Sequence, residues 1–119
     1  MAEFSSLQML QGYLKVLTDR QQMITSNMAN IDTPGYHTKD LNFQAAMQRV
    51  MHEDGAVSEA AFEPASVETA GLPERPDGNN VSVDRESLLL AQTQLQFQLG
   101  VQLVKSQMHM VLSAIKDGN

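Results

Sequence analysis

The hydrophobic residues of the first 31 positions recur at alternating steps of three and four residues. This stripe contains Leu7, Leu10, Leu14, Leu17, Ile24, Met28 and Ile31, with Gln21 at its single polar position. Heptad spacing of this kind predicts an α-helix, here over residues 6–29 and about 36 Å long at 1.5 Å per residue. The other side of this helix is polar, so we expect one narrow face to pack against a partner helix.

A second heptad stripe runs through residues 85–116, a segment without proline in which Gly100 is the expected weak point of a helix. This stripe contains Leu90, Gln94, Phe97, Val101, Val104, Met108, Val111 and Ile115. A neighbouring row, called here the outer row, contains Leu88, Leu95, Leu99, Leu103 and Met110. The pattern predicts one long helix whose apolar surface is wider than a single partner helix covers. Part of that surface should therefore be buried against other chains.

Between these helices the hydrophobic pattern weakens. Residues 41–51, LNFQAAMQRVM, predict a short amphipathic helix through Phe43, Met47 and Val50. Residues 52–80 are acidic and hold three of the four prolines, which predicts a loop with room for a short strand or two near residues 62–67. The DGNN sequence at the end of this segment predicts a turn, and Ser82 or Asp84 is expected to cap the last helix.

These elements predict an all-α fold in one domain. Residues 1–36 would form the N-terminal helix and a TPGY turn, residues 37–80 the connecting segment, and residues 81–119 the C-terminal helix. We expect the two terminal helices to pair as an antiparallel coiled-coil hairpin that also packs against other chains. A monomer whose two stripes form its entire core is the simpler alternative.

The stretch NMANIDTPGY, residues 27–36, ends the first helix abruptly. Pro34 disfavours a helical conformation at Thr33, and Gly35 can adopt the positive φ that a type II turn requires. Amide side chains near a helix end can satisfy its free carbonyl groups or the backbone of a neighbour. We therefore expect a rigid turn that presents Asn27, Asn30 and Tyr36 to neighbouring chains.

The composition gives little indication of a catalytic or metal-binding site. The chain has no cysteine, and its three histidines lie in different segments without the spacing of metal ligands. No base lies beside a nucleophile in the sequence, so we expect no catalytic, cofactor or metal site and no enzyme. The whole net charge of −6 lies between residues 53 and 77, and the rest of the chain is neutral. The absence of a basic stripe makes nucleic acid a poor partner candidate.

The motif NMANIDTPGY strongly resembles the N-terminal signature of bacterial flagellar axial proteins, the rod, hook and hook-associated families. The placement of this motif between two heptad helices adds to the resemblance, and the small size favours the basal-body rod proteins. Residues 78–116, from GNNVSVDRE onward, are most similar to the FlgB family of proximal rod proteins. The sister FlgC family is the alternative, although its usual asparagine-rich C-terminal pattern is absent here.

This resemblance implies a structural subunit that assembles helically beside the export gate and the rod adaptor, forming the base of the drive shaft and its export channel. Its partners would be other copies of itself, other flagellar rod proteins, the rod adaptor, components of the MS ring and export gate, and the type III export apparatus. The subunit would lie in the periplasmic rod after export without a cleaved signal peptide. The N-terminal sequence MAEFSSLQML agrees, because it has no basic region followed by an apolar run, and no apolar run is long enough to span a membrane.

The sequence also allows two further interpretations. Phe43 and Met47 resemble the short element by which early export substrates are thought to engage the export gate, although an ordinary apolar pair on one helical turn has the same spacing. A small cytoplasmic helical adaptor or type III secretion chaperone is an alternative from another class, because acidity and eight methionines suit a surface that repacks against varied clients.

Overall fold

The computed structural model describes the backbone of residues 2–52 and 66–117, and the side chains of residues 6–51 and 66–117. Its elements, in chain order, are α1 (Ala2–Ala29), β1 (Lys39–Leu41), α2 (Phe43–His52), β2 (Ser66–Glu68) and α3 (Val83–Asp117). The three predicted helices are thus present, and the chain is mostly helical. A small antiparallel sheet, with Asp40 opposite Val67, was predicted only in part. β2 overlaps the expected strand region at residues 66 and 67, whereas residues 62–65 lie outside the described residues.

Local capping explains where two of the helices begin. The Ser82 side-chain oxygen accepts a hydrogen bond from the Arg85 backbone N–H at 3.3 Å, which confirms Ser82 as the cap of α3. Asn42 caps α2 in the same way, because its Oδ1 accepts from the Ala45 N–H at 3.1 Å. Both caps satisfy donors that the first helical turn leaves unpaired.

α1 and α3 pack side by side and run in opposite directions. Asn27, near the end of α1, contacts Glu86 near the start of α3, and Leu14 lies beside Gly100 further along. A Cβ atom on Gly100 would lie 2.6 Å from Leu14 Cδ2, so the glycine allows a close approach of the two helices. α3 is continuous through Gly100, and the residue expected to be its weak point allows this contact with α1.

α1 also packs against α2, through a second apolar face that the heptad stripe did not predict. Val16, Leu41, Ala46 and Val50 form a buried cluster. Gly12 lies against it, since a Cβ atom there would be 2.4 Å from Val50 Cγ1. The expectation of one narrow apolar face on α1 is wrong, because α1 contacts two helices rather than one.

The outer row of α3 is exposed along its length, with its five side chains 52–61% accessible. This agrees with the predicted excess of apolar surface over what one partner helix covers. Among the described residues, none of the helices is both long and apolar enough to cross a membrane.

Candidate assembly site

The motif of residues 27–36 begins inside the last turn of α1, and Asn30 closes that helix end. The Asn30 Nδ2 atom donates to the Ser26 carbonyl at 2.8 Å, and its Oδ1 accepts from the Thr33 hydroxyl at 3.0 Å. The chain then reverses, since the Tyr36 N–H donates to the Thr33 carbonyl at 3.2 Å and Gly35 has a φ of 75°. A side chain at Gly35 would be strained at this φ.

Asn27 lies at the centre of the site and is 1% exposed. Its Oδ1 accepts from the Tyr36 hydroxyl at 3.0 Å and from the Lys39 N–H at 3.1 Å. Its Nδ2 donates to the Lys39 carbonyl at 2.7 Å and to Glu86 Oε1 at 3.3 Å. Both functional groups of the amide are therefore used within the chain. This burial disagrees with the expectation that Asn27 is presented to neighbouring chains, whereas the presentation of Asn30 and Tyr36 stays a prediction.

A second turn, residues 75–81, clamps the motif from the other side. The Gly78 N–H donates to the Arg75 carbonyl at 2.8 Å, and Gly78 has a φ of 84°. The two turns are joined by the Gly35 N–H, which donates to the Asp77 carbonyl at 2.8 Å. A Cβ atom on Gly78 would lie 3.4 Å from the Gly35 Cα, and one on Gly35 would meet nothing within 4 Å. The positive φ of both residues, rather than a lack of space, therefore favours glycine in the two turns.

Asn79 is the main clamp of this second turn and is fully buried. Its Nδ2 donates to the carbonyls of Asn30 at 2.9 Å and Thr33 at 2.8 Å, while its Oδ1 accepts from the Val81 N–H at 2.8 Å. It therefore adds a second hydrogen bond to two carbonyl groups of the turn that follows α1.

Asn80 and Arg75 complete the clamp. The Asn80 Oδ1 accepts from the Thr38 N–H at 2.6 Å, and the Arg75 guanidinium donates to the carbonyls of Ile31 and Val81. Sequence reasoning assigned this segment to a simple turn and missed its role. The only signal was the pair of adjacent asparagines beside a glycine, and this pair does not indicate which backbone groups its amides reach.

A charged cluster lies beneath Asn27. Arg20 and Arg85 both contact the Asp40 carboxylate, at 3.4 Å and 3.6 Å, and Arg85 Nη1 also contacts Glu86 Oε1 at 2.9 Å. Glu86 is fully buried, and its Oε2 has no hydrogen-bond partner among the described residues. Burial raises the pKa of the Glu86 carboxyl, while the contacts with Asn27 and Arg85 oppose that shift. The cluster joins α1, β1 and α3 directly below the motif.

The predicted packing stripes have mixed environments in the subunit. On α1, Leu17 and Ile24 are buried, and Leu7, Leu10, Leu14 and Met28 are partly buried. On α3, the partly buried members are Leu90, Phe97, Val101, Val104 and Val111. Met108 and Ile115 are exposed, at 50% and 63%. The packing of both stripes in an assembly stays a prediction.

The remaining candidates are Phe43 and Met47, which are partly buried against the cluster of Val16, Leu41 and Val50. The Phe43 ring meets Tyr13 edge to face, with ring centroids 6.0 Å apart. Within the described part of the chain, histidine and carboxylate side chains form no group that could hold a metal ion.

The sequence of this chain is similar to the sequences of known proteins from one family. The profile of the family described as "Flagella basal body rod protein" matches residues 14–37, the second half of α1 and the turn that follows. Proteins named "Flagellar basal body rod protein FlgB" match along most of the chain. The protein from Salmonella typhimurium is 30% identical over 97% of this chain and 96% of its own length. Those from Aeromonas hydrophila and Bacillus subtilis are 31% and 29% identical, over 87% and 95% of this chain.

The chain is thus of the flagellar basal body rod class, a group of structural proteins. Within that class it belongs to the FlgB family, which makes it a structural subunit of the proximal rod and not an enzyme. Family membership sets aside the FlgC-type, adaptor and chaperone alternatives.

Proposed function

We propose that this subunit assembles helically at the base of the rod, with the outer row of α3 buried against α-helices of neighbouring subunits. The observation that carries the proposal is the exposure of the outer row, whose side chains are more than half accessible. Residues 87–104 of α3 also contain no charged side chain. An uncharged apolar face of this length is expensive to leave in water and costs little to bury against another helix.

Within the subunit, α1 and α3 act as the two strands of an antiparallel coiled coil. Support comes from the order of their contacts, because the end of α1 meets the start of α3 at Asn27 and Glu86. The close contact of Leu14 with Gly100 continues the same antiparallel order along the pair. This pairing leaves the outer row directed away from α1.

The neighbours in this proposal are other copies of the subunit, other rod proteins, the rod adaptor, and components of the MS ring and export gate. The subunit reaches the periplasmic rod through the flagellar type III export apparatus, without a cleaved signal peptide, and contributes to the drive-shaft base and export channel. The names of the relatives support the rod location, and the partners are inferred from it.

The motif of residues 27–36 acts in assembly by its shape. Asn27 is held inside the subunit by its four hydrogen bonds, so it positions the turn rather than contacting a neighbour. Thr33, Pro34 and Gly35 are exposed at the tip of the turn and are the groups that a neighbouring subunit can contact. Asn30 and Tyr36 support that tip from below.

Leu99→Glu tests the proposal, with Gln98→Glu as its matched control. Both residues are exposed on α3, so each variant should fold and unfold like the wild-type subunit. Only the charge at Leu99 would be buried in the assembled rod, at a cost of several kcal/mol without a partner. We expect cells with Leu99→Glu to export the protein but to lack hooks and motility. Normal motility of these cells would contradict the proposal.

Phe43 and Met47 are proposed to engage the export gate before the subunit folds. Their partial burial against α1 means that the folded subunit does not present them freely. The double variant Phe43→Ala with Met47→Ala should reduce secretion while cytoplasmic levels stay normal. Val50→Ala is the control, because it removes packing from the same cluster outside the proposed element. Equal secretion of both variants would leave only the packing role.

A further inference from the structure

His37 follows the motif directly, and its imidazole lies between two carboxylates. Its Nδ1 is 3.4 Å from Glu68 Oε2, and its Nε2 is 3.1 Å from Glu74 Oε1. A neutral imidazole has a single N–H donor, whereas the imidazolium ion donates from both nitrogens. Only the protonated ring can donate a hydrogen bond to both glutamates at once.

The two glutamates lie in residues 66–74, a described part of the acidic stretch that is called the connector here. Glu68 lies on β2, and Glu74 lies in the segment that leads to the second turn. His37 therefore links two points of the segment 66–74, Glu68 and Glu74, to the end of the motif. The sheet is short, with three residues in each strand, so side-chain contacts contribute a large share of what holds β2 in place.

The other charged groups nearby are directed elsewhere. Lys39 is opposite Glu68 in the sheet, but its Nζ lies 5.9 Å from the centroid of the Tyr36 ring. The Arg75 guanidinium reaches the carbonyls of Ile31 and Val81. In the part of the chain that the structure describes, His37 is the basic side chain that lies between Glu68 and Glu74.

We propose that His37 is a proton-dependent clasp that holds the connector segment 66–74 on the end of the motif. Histidine changes charge between pH 5 and 8, whereas glutamate side chains ordinarily stay ionised there. The clasp is therefore closed when the imidazole is protonated and open when it is neutral. Because all three side chains are more than a third exposed, the clasp controls local opening of β2 and not the stability of the whole fold.

Amide hydrogen exchange at Thr69 tests the clasp, because the Thr69 N–H donates to the Thr38 carbonyl at 2.9 Å beside β2. Protection factors, which correct for the intrinsic pH dependence of exchange, would be measured by NMR at pH 5.5 and 7.5 on the full chain. We expect wild-type protection to be about threefold higher at pH 5.5, as for a modest exposed ion pair. His37→Gln and the double variant Glu68→Gln with Glu74→Gln should each remove this difference.

His109→Gln is the matched control, because it removes a histidine from the exposed side of α3 and should keep the wild-type difference. An equal pH difference in His37→Gln would overturn the clasp, since another group would then be responsible. An equal difference in the double glutamate variant would overturn it as well. So would wild-type protection that is the same at both pH values.

Discussion

At the scale of single residues, the site is held together by amide side chains that bond to backbone groups. Asn27 and Asn79 together pair with the backbones of four other residues, and both are buried. A buried side-chain amide whose hydrogen bonds are all formed is held in one position. The loss of one donor leaves its acceptor unpaired and desolvated. The asparagines therefore fix one arrangement of the turn and exclude others.

Asn27→Asp should destabilise the subunit strongly. The substitution replaces two donated hydrogen bonds with a second carboxylate beside the buried Glu86, so we expect a loss of about 2–4 kcal/mol in the free energy of unfolding. Asn30→Asp is the control, because the hydrogen bond from the Asn30 side-chain amide to the Ser26 carbonyl is exposed. We expect this variant to lose less than about 1 kcal/mol of unfolding free energy. Urea unfolding measures both. Similar losses for the two variants would show that Asn27 is not the central residue.

Glu86 predicts a pH dependence of stability. Its pKa is raised in the folded subunit, chiefly by burial, so the folded state binds this proton more tightly than the unfolded state. The stability that this tighter proton binding gives to the folded subunit is fully present below the ordinary glutamate pKa. It is lost as pH rises through the raised pKa.

Glu86→Gln cannot titrate at this position, so it isolates that contribution. On acidification from pH 7 towards pH 4, the wild-type subunit should gain unfolding free energy relative to the variant. Urea unfolding of both proteins across this range gives the difference directly. If the difference in unfolding free energy between the two proteins does not change with pH, burial does not raise the pKa of the Glu86 carboxyl.

At the scale of elements, the end of α1 depends on the turn residues. Pro34→Ala together with Gly35→Ala removes the restriction on Thr33 and places a side chain at a φ of 75°. We expect α1 to extend beyond Ala29 and to pull the tip of the turn away from Asn79. Circular dichroism should show equal or greater helicity, since alanine favours helix, while the exported protein fails to build hooks. Normal hook–basal bodies would show that the turn only ends the helix.

The elements themselves could be predicted because their signals are local. The two heptad stripes predicted α1 and α3, and Ser82 was one of the two residues expected to cap α3. The clamp could not be predicted, because Asn27 and Glu86 are 59 residues apart, and Asn79 reaches the Asn30 carbonyl across 49 residues. A turn signature reports the backbone conformation of its own residues, not the distant partners of its side chains. The second face of α1 was missed because Val16 lies outside the heptad stripe.

At the scale of the whole molecule, two long helices extend from one rigid end. The subunit measures 68 Å along its longest axis but only 25 Å and 19 Å across. The clamp, the small sheet and the buried charged cluster all lie where α1 ends and α3 begins. The outer row continues from that end along α3, so the orientation of the row follows from the geometry of the clamp.

In the proposed rod the outer row is covered by neighbouring subunits, and the absence of cysteine from the chain makes a direct test possible. Leu99→Cys and Leu103→Cys each place one thiol on the outer row, and Thr93→Cys is a control at a buried position of the same helix. The measurement is maleimide labelling of each variant, as free subunit and in isolated hook–basal bodies. We predict fast labelling of both outer-row thiols in the free subunit, protection of both in basal bodies, and slow labelling of Thr93→Cys in both states. Equally fast labelling of Leu99→Cys and Leu103→Cys in intact basal bodies would contradict the account.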